Sequence, residues 1–461
     1  MFRIRSTISP SFSEAALLST MIIAIMALCI ITFDSVPHMP ILLAILLLIT
    51  YGLMKKVPYK RLEEGLVDGA KAGLGAIFIF FFIGILISSL MMSGTIPTLI
   101  HLGFQFITPH FFYAIVFLVT CIVGLSIGSS LTTIATIGVA FIGMASAMDI
   151  SLAITAGAIV SGAFFGDKMS PLSDTTNLAS AIVQVDLFEH IRNMGWTTIP
   201  AFIISLIGYG ILSPNKEFQQ LEQVNEFQAG LLQTGMIHWY TLIPLVLLVI
   251  LSIKKVPAIL SLAFTSFVAI LISYFHQSFS FGEVLNILFY GFTSSTGMEA
   301  IDSLLSRGGI NSMMFTIGLV LLALSMGGLL FTLGIVQSLL MKVESSLRKV
   351  SSVIAATAFT AIGVNTLIGE QYLSILLTGE AFQAQFKKVG LANKNLARVM
   401  EDAGTVVNPL VPWSVCGIFI TNVLAVTTLE YLPFAFFCLL SPILTILFGF
   451  TGRTLTYIEE K

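Results

Sequence analysis

Apolar runs of about 20 residues recur along the whole chain, separated by short polar or charged stretches. A helix of that length crosses the hydrocarbon core of a bilayer, which is about 30 Å thick. The pattern therefore predicts an all-α polytopic membrane protein. We predict ten crossings, at residues 15–33, 39–54, 76–93, 153–178, 196–212, 237–253, 256–275, 313–336, 400–424 and 431–450.

Two further apolar segments, 112–148 and 353–386, are interrupted by polar tips, and we predict that each is a re-entrant hairpin. With hairpins at these places, nearly all lysines and arginines fall on one side of the membrane, as the positive-inside rule requires. Lys216 and Arg307 fall on the other side, and Lys168 lies at depth. Both termini, with Arg3 and Arg5 near the first, are then predicted to be cytoplasmic.

Composition supports the same class. The chain is 56% hydrophobic and only 10% charged, with a mean hydropathy of +0.98. Its net charge of −2 offers no basic field for nucleic acid, so the predicted surroundings are the lipid bilayer. The four cysteines lie inside apolar runs without metal-ligand spacing, which is typical of small buried side chains.

The polar interruptions recur in the second half at a nearly constant offset, which indicates an internal repeat. Gly94 and Gly334 are 240 positions apart, and Pro171 matches Pro409 at 238. Five crossings in each half would turn the second copy upside down, an arrangement typical of secondary transporters with broken helices at the midplane. We predict a first repeat at 1–213, a polar linker at 214–235 and a second repeat at 236–461.

The broken helix predicted at about 153–185 has a polar centre within an apolar sequence. Pro171 lacks an N–H, so it should break the helix and free the carbonyl of Asp167. Charged residues at membrane depth are costly and usually functional. Oxygen-only ligands suit a hard cation, so we predict Asp167 and Asp174 as charged Na⁺ ligands, supported by Ser170, Ser173, Thr175, Thr176 and Asn177.

A second broken helix is predicted at about 400–424, where Pro409 and Pro412 should free the carbonyls of Thr405 and Asn408. We predict that Asp402, Thr405 and Asn408 contribute to the ion site. Glu401 and Asp402 closely follow a basic loop. A position at the cytoplasmic mouth, or a structural role, is therefore the alternative for this acidic pair.

The hairpin tips are expected to complete the site. The first carries the hydroxyls of Ser126, Ser129, Ser130, Thr132 and Thr133, and the second carries Asn365, Thr366 and Glu370. For Glu370 the structural alternative is a carboxylate paired with a nearby hydroxyl or lysine. Lys168 is interpreted as an internal counter-charge to Asp167 or Asp174, with an alternating partner as the other possibility.

Burial favours the protonated form of a carboxylate, and a bound cation favours its ionised form. One buried site can therefore hold Na⁺ or H⁺ but not both. Exchange follows when the empty, ionised site is reluctant to reorient through apolar surroundings. The transported ions are then the expected ligands, and no cofactor is expected.

The run Gly166-Asp-Lys-Met-Ser-Pro-Leu-Ser-Asp-Thr-Thr-Asn177 resembles a signature of the NhaC family of Na⁺/H⁺ antiporters. Two runs, Glu401-Asp-x-Gly-Thr-Val406 and Asn408-Pro-Leu-Val-Pro-Trp413, resemble the counterpart in the second half of that family. The resemblance covers essentially the whole chain. It implies an ion-transporter-type inverted-repeat fold, a bacterial cytoplasmic membrane, Na⁺ extrusion in exchange for protons, and a homodimer.

Two alternatives stay open. Members of the same family exchange organic anions such as malate and lactate together with Na⁺ and H⁺, although Lys168 is the only basic residue at depth to receive an anion. An intramembrane aspartyl protease is the remote alternative, because Gly166-Asp167 resembles part of a protease motif. Its usual partner motif is missing from the sequence.

Overall fold

The computed structural model describes residues 6–33, 35–106, 110–214, 221–344 and 348–458. The regular structure of these ranges is helical, with one isolated bridge between Leu391 and Tyr457. This confirms the prediction of an all-α polytopic membrane protein. Arg3, Arg5, Lys216 and most of the predicted linker's first half lie outside the described residues.

The described residues of the first half form eleven α-helices. They are α1 (Phe12–Ala27), α2 (His38–Met54), α3 (Tyr59–Ala72), α4 (Leu74–Met92), α5 (Thr95–Phe106), α6 (Phe112–Ile127), α7 (Ser130–Thr133), α8 (Val139–Ala147), α9 (Leu152–Met169), α10 (Asp174–Ile182) and α11 (Leu187–Leu212). Short π-helical stretches extend α1 (Leu28–Thr32) and join α7 to α8 (Ile134–Gly138).

The remaining described residues form α12 (Leu221–Gln233), α13 (Ile243–Ile253), α14 (Ala258–Ser273), α15 (Phe281–Tyr290), α16 (Glu299–Leu305), α17 (Ile310–Thr332), α18 (Ile335–Glu344), α19 (Val350–Ile368), α20 (Gln371–Lys388), α21 (Asn393–Met400), α22 (Val415–Leu424), α23 (Thr428–Tyr431) and α24 (Phe436–Thr451). A π-helical stretch, Glu401–Thr405, continues α21. Short 3₁₀ turns lie at Trp239–Leu242, Asn408–Leu410 and Leu432–Phe434.

Seven helical segments of the described chain are long and apolar enough to span a membrane, or nine if each bent pair is one span. The bent pairs are Asn393–Leu410 with Val415–Leu424, at 45°, and Thr428–Phe434 with Phe436–Thr451, at 58°. Three of our ten predicted crossings correspond instead to shorter apolar helices, His38–Met54, Trp239–Ile253 and Ala258–Ser273. The number of ten crossings stays a prediction.

Both predicted hairpin segments turn at a glycine in the left-handed region. Gly128 has φ 71° and Gly369 has φ 77°, a conformation that glycine adopts without strain. The next residue, Ser129 or Glu370, is extended and caps the following helix through its side chain. The two tips therefore have the same local structure, 241 positions apart, and the return of each hairpin to the same membrane side stays a prediction.

Both predicted helix breaks are present. Helix α9 ends at Met169, and Ser173 then caps α10 by accepting a hydrogen bond from the Thr176 N–H at 3.4 Å. In the second half Ser414 caps α22 in the same way, from the Gly417 N–H at 3.0 Å. Since the two caps are 241 positions apart, Pro171 corresponds to Pro412. We had matched Pro171 to Pro409, and this match was wrong by three residues. The second half has two prolines close together, Pro409 and Pro412, and only one of them can correspond to Pro171.

The first break is held against the first hairpin by close backbone packing of α9 on α6. A Cβ added to Gly166 would lie 2.4 Å from the Leu125 nitrogen and 2.6 Å from the Gly124 Cα. No larger residue fits without separating the two helices. This contact brings the carboxylate of the next residue, Asp167, to the tip of the hairpin.

Candidate cation-binding site

A cavity of about 850 Å³ lies where both hairpin tips and both helix breaks meet. Its other walls come from α4, α13, α14 and α17. Those of our predicted site residues that line it are Ser129, Ser130, Thr132, Asp167, Pro171, Asp174, Thr175, Asn177 and Glu370. Two carboxylates of the first half, Asp167 and Asp174, and one of the second half, Glu370, thus face one space.

Asp167 forms one wall of this cavity and is held by the first hairpin tip. Its side chain is only 5% exposed, and its Oδ2 accepts hydrogen bonds from the Ser130 N–H (3.1 Å) and the Ser130 hydroxyl (2.7 Å). Two donors on one carboxylate oxygen fix the direction of the group and stabilise its charge. We had considered Ser130 among the tip hydroxyls, and the structure makes it the partner of Asp167.

Asp174 is the first residue of α10 and is exposed to the cavity. A carboxylate at a helix N-terminus is stabilised by the helix dipole. Asn177 has a supporting position, because its Nδ2 donates to the carbonyls of Pro171 (3.1 Å) and Ser173 (2.7 Å) across the break. The neighbouring hydroxyls of Ser173 and Thr175 lie 3.0 Å apart.

Glu370 brings the third carboxylate. Its Oε2 accepts a hydrogen bond from the Leu373 N–H at 2.7 Å and so caps α20. The structural alternative for Glu370, pairing with a hydroxyl or a lysine, was wrong, because the partner is a backbone amide of the next helix. The capping geometry turns the carboxylate toward the cavity, where Gln371 and Tyr372 also contribute to the wall.

Several predicted ligands lie behind the cavity wall and are engaged in structural hydrogen bonds. Asn408 donates from Nδ2 to Asn365 Oδ1 (2.9 Å) and accepts at Oδ1 from the Cys416 N–H (3.1 Å). Asn365 in turn donates to the Gly404 carbonyl at 2.5 Å. The Thr366 hydroxyl donates to the Ile362 carbonyl within its own helix. These residues join the second hairpin to the second break.

Two of the carbonyls that we expected to be free are occupied. The Asp167 carbonyl accepts from the Ser170 N–H at 3.2 Å, and the Ser170 hydroxyl donates to the Leu125 carbonyl. The Asn408 carbonyl accepts from the Val411 N–H (3.1 Å) and the Ser414 hydroxyl (2.5 Å). Tight turns and caps replace the helical donors that the prolines remove. These two carbonyls therefore do not lack donors, and their coordination of a cation stays a prediction.

Lys168 has a different partner from the one expected. Its ammonium forms an ion pair with Asp402 of the other half, with both side chains completely buried, and also lies 5.6 Å from the centre of the Phe437 ring. Asp402 Oδ1 accepts a further bond from the Thr197 hydroxyl at 3.1 Å. Pairing of Lys168 with Asp167 or Asp174 was thus wrong. Glu401 and Asp402 are both 0% exposed, so neither lies at an open mouth.

Four helix N-termini converge on the cavity, and each is capped by a side chain of this protein. Ser129, Ser173, Glu370 and Ser414 cap α7, α10, α20 and α22, respectively. A helix N-terminus attracts negative charge. Here the chain supplies its own negative groups, Asp167, Asp174 and Glu370, so the arrangement forms a cavity with anionic walls.

The remaining predicted site residues, Ser170, Ser173, Thr176, Asn365, Thr366, Asp402, Thr405, Asn408, Pro409 and Pro412, support this wall or lie deeper. Thr176 shows the pattern, since its hydroxyl donates to the Lys168 carbonyl across the first break at 3.0 Å. Sequence reasoning missed Gln371, Tyr372 and Cys416 as wall residues. Gln371 and Tyr372 directly follow Glu370, so a prediction that extended the polar hairpin tip by two residues would have included them. Cys416 lies inside an apolar run, where the sequence does not distinguish it from a packing residue.

Comparison with known proteins agrees with this geometry. The model of the Na⁺/H⁺ antiporter family matches residues 162–453, which contain both helix breaks and the second hairpin tip. The chain belongs to the Na⁺/H⁺ antiporter family. Membership of this family confirms the predictions of a transporter rather than an enzyme.

Curated relatives in the antiporter family match nearly end to end. The Na⁺/H⁺ antiporter NhaC of Alkalihalophilus pseudofirmus is 43% identical over 90% of this chain and 90% of its own. NhaC of Bacillus subtilis is 38% identical over 96% of this chain and 98% of its own. These matches confirm the resemblance to NhaC. The malate-2H⁺/Na⁺-lactate antiporter of Bacillus subtilis is 32% identical over 89% and 88%.

Proposed function

We propose that this protein exchanges Na⁺ for H⁺ across the cytoplasmic membrane of a bacterium by alternating access. The observation that carries the proposal is the meeting of Asp167, Asp174 and Glu370 around one cavity at the two helix breaks. Membership of the Na⁺/H⁺ antiporter family supports the same ions.

The donors in the cavity wall suit Na⁺ chemically. Carboxylate, hydroxyl and amide oxygens are hard ligands, and the wall contains them from Ser129, Thr175 and Asn177 beside the acids. Na⁺ and H⁺ then compete for Asp167 and Asp174. An occupied site is closer to neutral than an empty one, so it crosses the apolar interior at lower cost. That difference couples the two ion movements.

We propose that this conformation opens toward the cytoplasm. The cavity extends to Gly73, at the end of α3, which carries Lys60, Arg61 and Lys71, and to the exposed Lys255. Both places belong to the loops in which lysines and arginines are concentrated, and such loops remain cytoplasmic. The cytoplasmic position of both termini is part of the same proposal.

Everted membrane vesicles test the exchange directly. Vesicles that contain the protein are acidified inside by respiration, and a ΔpH-sensitive dye reports proton efflux when Na⁺ is added. We expect dequenching with Na⁺ and none in vesicles without the protein. Absence of a Na⁺ response from neutral to alkaline pH would remove Na⁺/H⁺ exchange as the function.

The second candidate is exchange of a small organic anion coupled to Na⁺ and H⁺. It is favoured by the cavity volume, which lies within the range of about 300–1,000 Å³ common for small-molecule sites, and by the malate/lactate antiporter among the relatives. Against it, Lys168 is sequestered by Asp402 and the helix N-termini are already capped. Na⁺-driven uptake of labelled malate or lactate into vesicles would make it the better proposal.

The homodimer implied by the family resemblance also stays a proposal. Cross-linking in native membranes, followed by mass determination of the purified complex, checks it. A monomer at all accessible concentrations would exclude it.

A further inference from the structure

We propose that Glu401 is a proton-binding site of its own, separate from the cation cavity and linked to it through the Lys168–Asp402 ion pair. The inference rests on the proposed exchange of Na⁺ for H⁺ and adds a place for a proton that the cavity carboxylates do not account for.

Glu401 is the first residue of the π-helical stretch Glu401–Thr405 and is 0% exposed. Among the described residues, neither of its carboxylate oxygens has a hydrogen-bond partner of normal geometry, although the Thr405 hydroxyl faces the group. A buried charge without partners is strongly disfavoured. Short π-helical turns within α-helices often occur at functional sites.

The residues around Glu401 include polar groups, but none of those described forms a normal hydrogen bond with its carboxylate. Asp402 Oδ2 and the Thr405 hydroxyl are buried and lack partners in the described chain. The same is true of the Thr378 hydroxyl on α20 and the Ser441 hydroxyl on α24, two helices that pack against Glu401–Thr405. A protonated carboxyl is itself a donor, so binding one proton relieves part of this deficit.

Two of the basic groups near Glu401 already have partners. Lys168 pairs with Asp402, and the buried Arg398 donates to the carbonyl and hydroxyl of Thr454. His190 of α11 is buried near Lys168. Asp167 of α9 is within electrostatic range of Glu401, although the two belong to different helix breaks.

Exchange requires that Na⁺ binding favours proton release, and the positions of Asp167 and Glu401 give this direction of coupling. An empty, ionised Asp167 repels a negative charge at Glu401 and favours a proton there. Na⁺ at Asp167 cancels that repulsion, so the proton on Glu401 is released more easily. Na⁺ binding and proton release are thereby linked between two distinct sites, with Lys168 next to Asp167 and paired to the neighbour of Glu401.

Reversal measurements in proteoliposomes test the proposal. The membrane potential is clamped to zero, a fixed ΔpH is imposed, and the opposing Na⁺ gradient that stops net ²²Na⁺ flux is determined. Each proton exchanged per Na⁺ changes this gradient about tenfold per pH unit. We expect Glu401→Gln to lower the balancing gradient by about tenfold per pH unit. Glu380→Gln, an exposed carboxylate on α20, is the matched control and should leave it unchanged.

A wild-type balancing gradient in Glu401→Gln overturns the proposal, and so does a folded Glu401→Gln protein that has lost ²²Na⁺/Na⁺ exchange as well, because Glu401 would then serve Na⁺ itself. Glu401→Asp keeps an ionisable group and should restore the wild-type gradient if the Gln variant fails to fold. Absence of Na⁺-dependent flux in the wild type would contradict the proposed function instead.

Discussion

Asp167 accepts both the backbone N–H and the hydroxyl of Ser130 on one carboxylate oxygen, which joins the first helix break to the first hairpin tip. The two residues are 37 positions apart, and the close approach of α9 to α6 through Gly166 makes the contact available. Any movement of the hairpin tip relative to the broken helix must change this pair.

We expect Ser130→Ala to weaken Na⁺ binding without unfolding the protein. The variant loses the 2.7 Å hydroxyl bond and keeps the backbone bond, so Asp167 is less firmly oriented. A hydrogen bond to a charged group contributes about 1.5–3 kcal/mol, which corresponds to at least a tenfold rise in the Na⁺ concentration for half-maximal dequenching. Ser130→Thr keeps the hydroxyl and is the control. Equal Na⁺ dependence of all three proteins would mean that this bond does not support the ion site.

We expect Asp174→Asn to abolish exchange while the protein stays folded. Asp174 is exposed to the cavity, so the substitution removes a ligand charge but no buried hydrogen bond. Opposite charges 4 Å apart interact by about 4 kcal/mol at an effective dielectric of about 20, and after allowance for solvent the Na⁺ affinity should fall about a hundredfold. Vesicle dequenching and thermal unfolding check the two parts. Asp149→Asn, an exposed carboxylate of the same half, is the control, and retained exchange in Asp174→Asn would place Na⁺ elsewhere.

Glu370 combines two roles that paired variants can separate. Glu370→Gln keeps an oxygen to accept from the Leu373 N–H, so the helix cap survives while the charge is lost. Glu370→Ala loses both, and loss of an N-cap costs about 1 kcal/mol. We therefore expect a lower melting temperature only for the Ala variant and weaker Na⁺ dependence for both. If Glu370→Gln exchanges Na⁺ as the wild type does, Glu370 serves only as a cap.

The proposed opening toward the cytoplasm predicts a side preference in labelling. Ala258 is exposed at the cavity wall, and Ser295 is exposed between α15 and α16. In a background without the four native cysteines, Ala258→Cys should react with an impermeant maleimide in everted vesicles only. Ser295→Cys should react in right-side-out vesicles only. The reverse pattern would invert the orientation of the whole chain.

Local features of the fold were predictable from the sequence, and long-range partners were not. Pro171 and the neighbouring Ser173 indicate a break followed by a cap, since both effects act within a few residues. Gly128 and Gly369 mark turns for a similar reason. By contrast, the carboxylate that Lys168 meets is 234 positions away, and the sequence around Lys168 offers two nearer carboxylates. Local charge pairing was the reasonable expectation, and helix packing overrides it.

The same limit applies to buried polar networks. The Tyr209 hydroxyl contacts the Gly157 and Phe434 carbonyls and the Ser161 hydroxyl, which ties α11 to α9 and to the segment before α24. A tyrosine inside an apolar run shows no sign of this role in the sequence. The Asn365–Asn408 pair was predicted as two ligands because both residues are polar. Whether such oxygens face a cavity or each other depends on geometry.

The buried Lys168–Asp402 pair should stabilise the protein only as a pair. Removing one partner of a buried ion pair costs about 3–5 kcal/mol because the other charge is left uncompensated, whereas replacing both by apolar residues is often neutral. Lys168→Met leaves Asp402 with only the Thr197 hydroxyl bond. We therefore expect a large loss of thermal stability in Lys168→Met and in Asp402→Leu, and substantial recovery in the double variant.

Thermal unfolding in a detergent that keeps the wild type active measures the four proteins of this cycle, with Lys394→Met at a partly exposed ion pair as the control. Exposed pairs contribute about 0–1 kcal/mol, so the control should change little. Strictly additive losses in the double variant would mean that the two charges do not interact. Recovered stability together with lost exchange would instead assign the pair to transport, since it joins the break that carries Asp167 to the break of the other half.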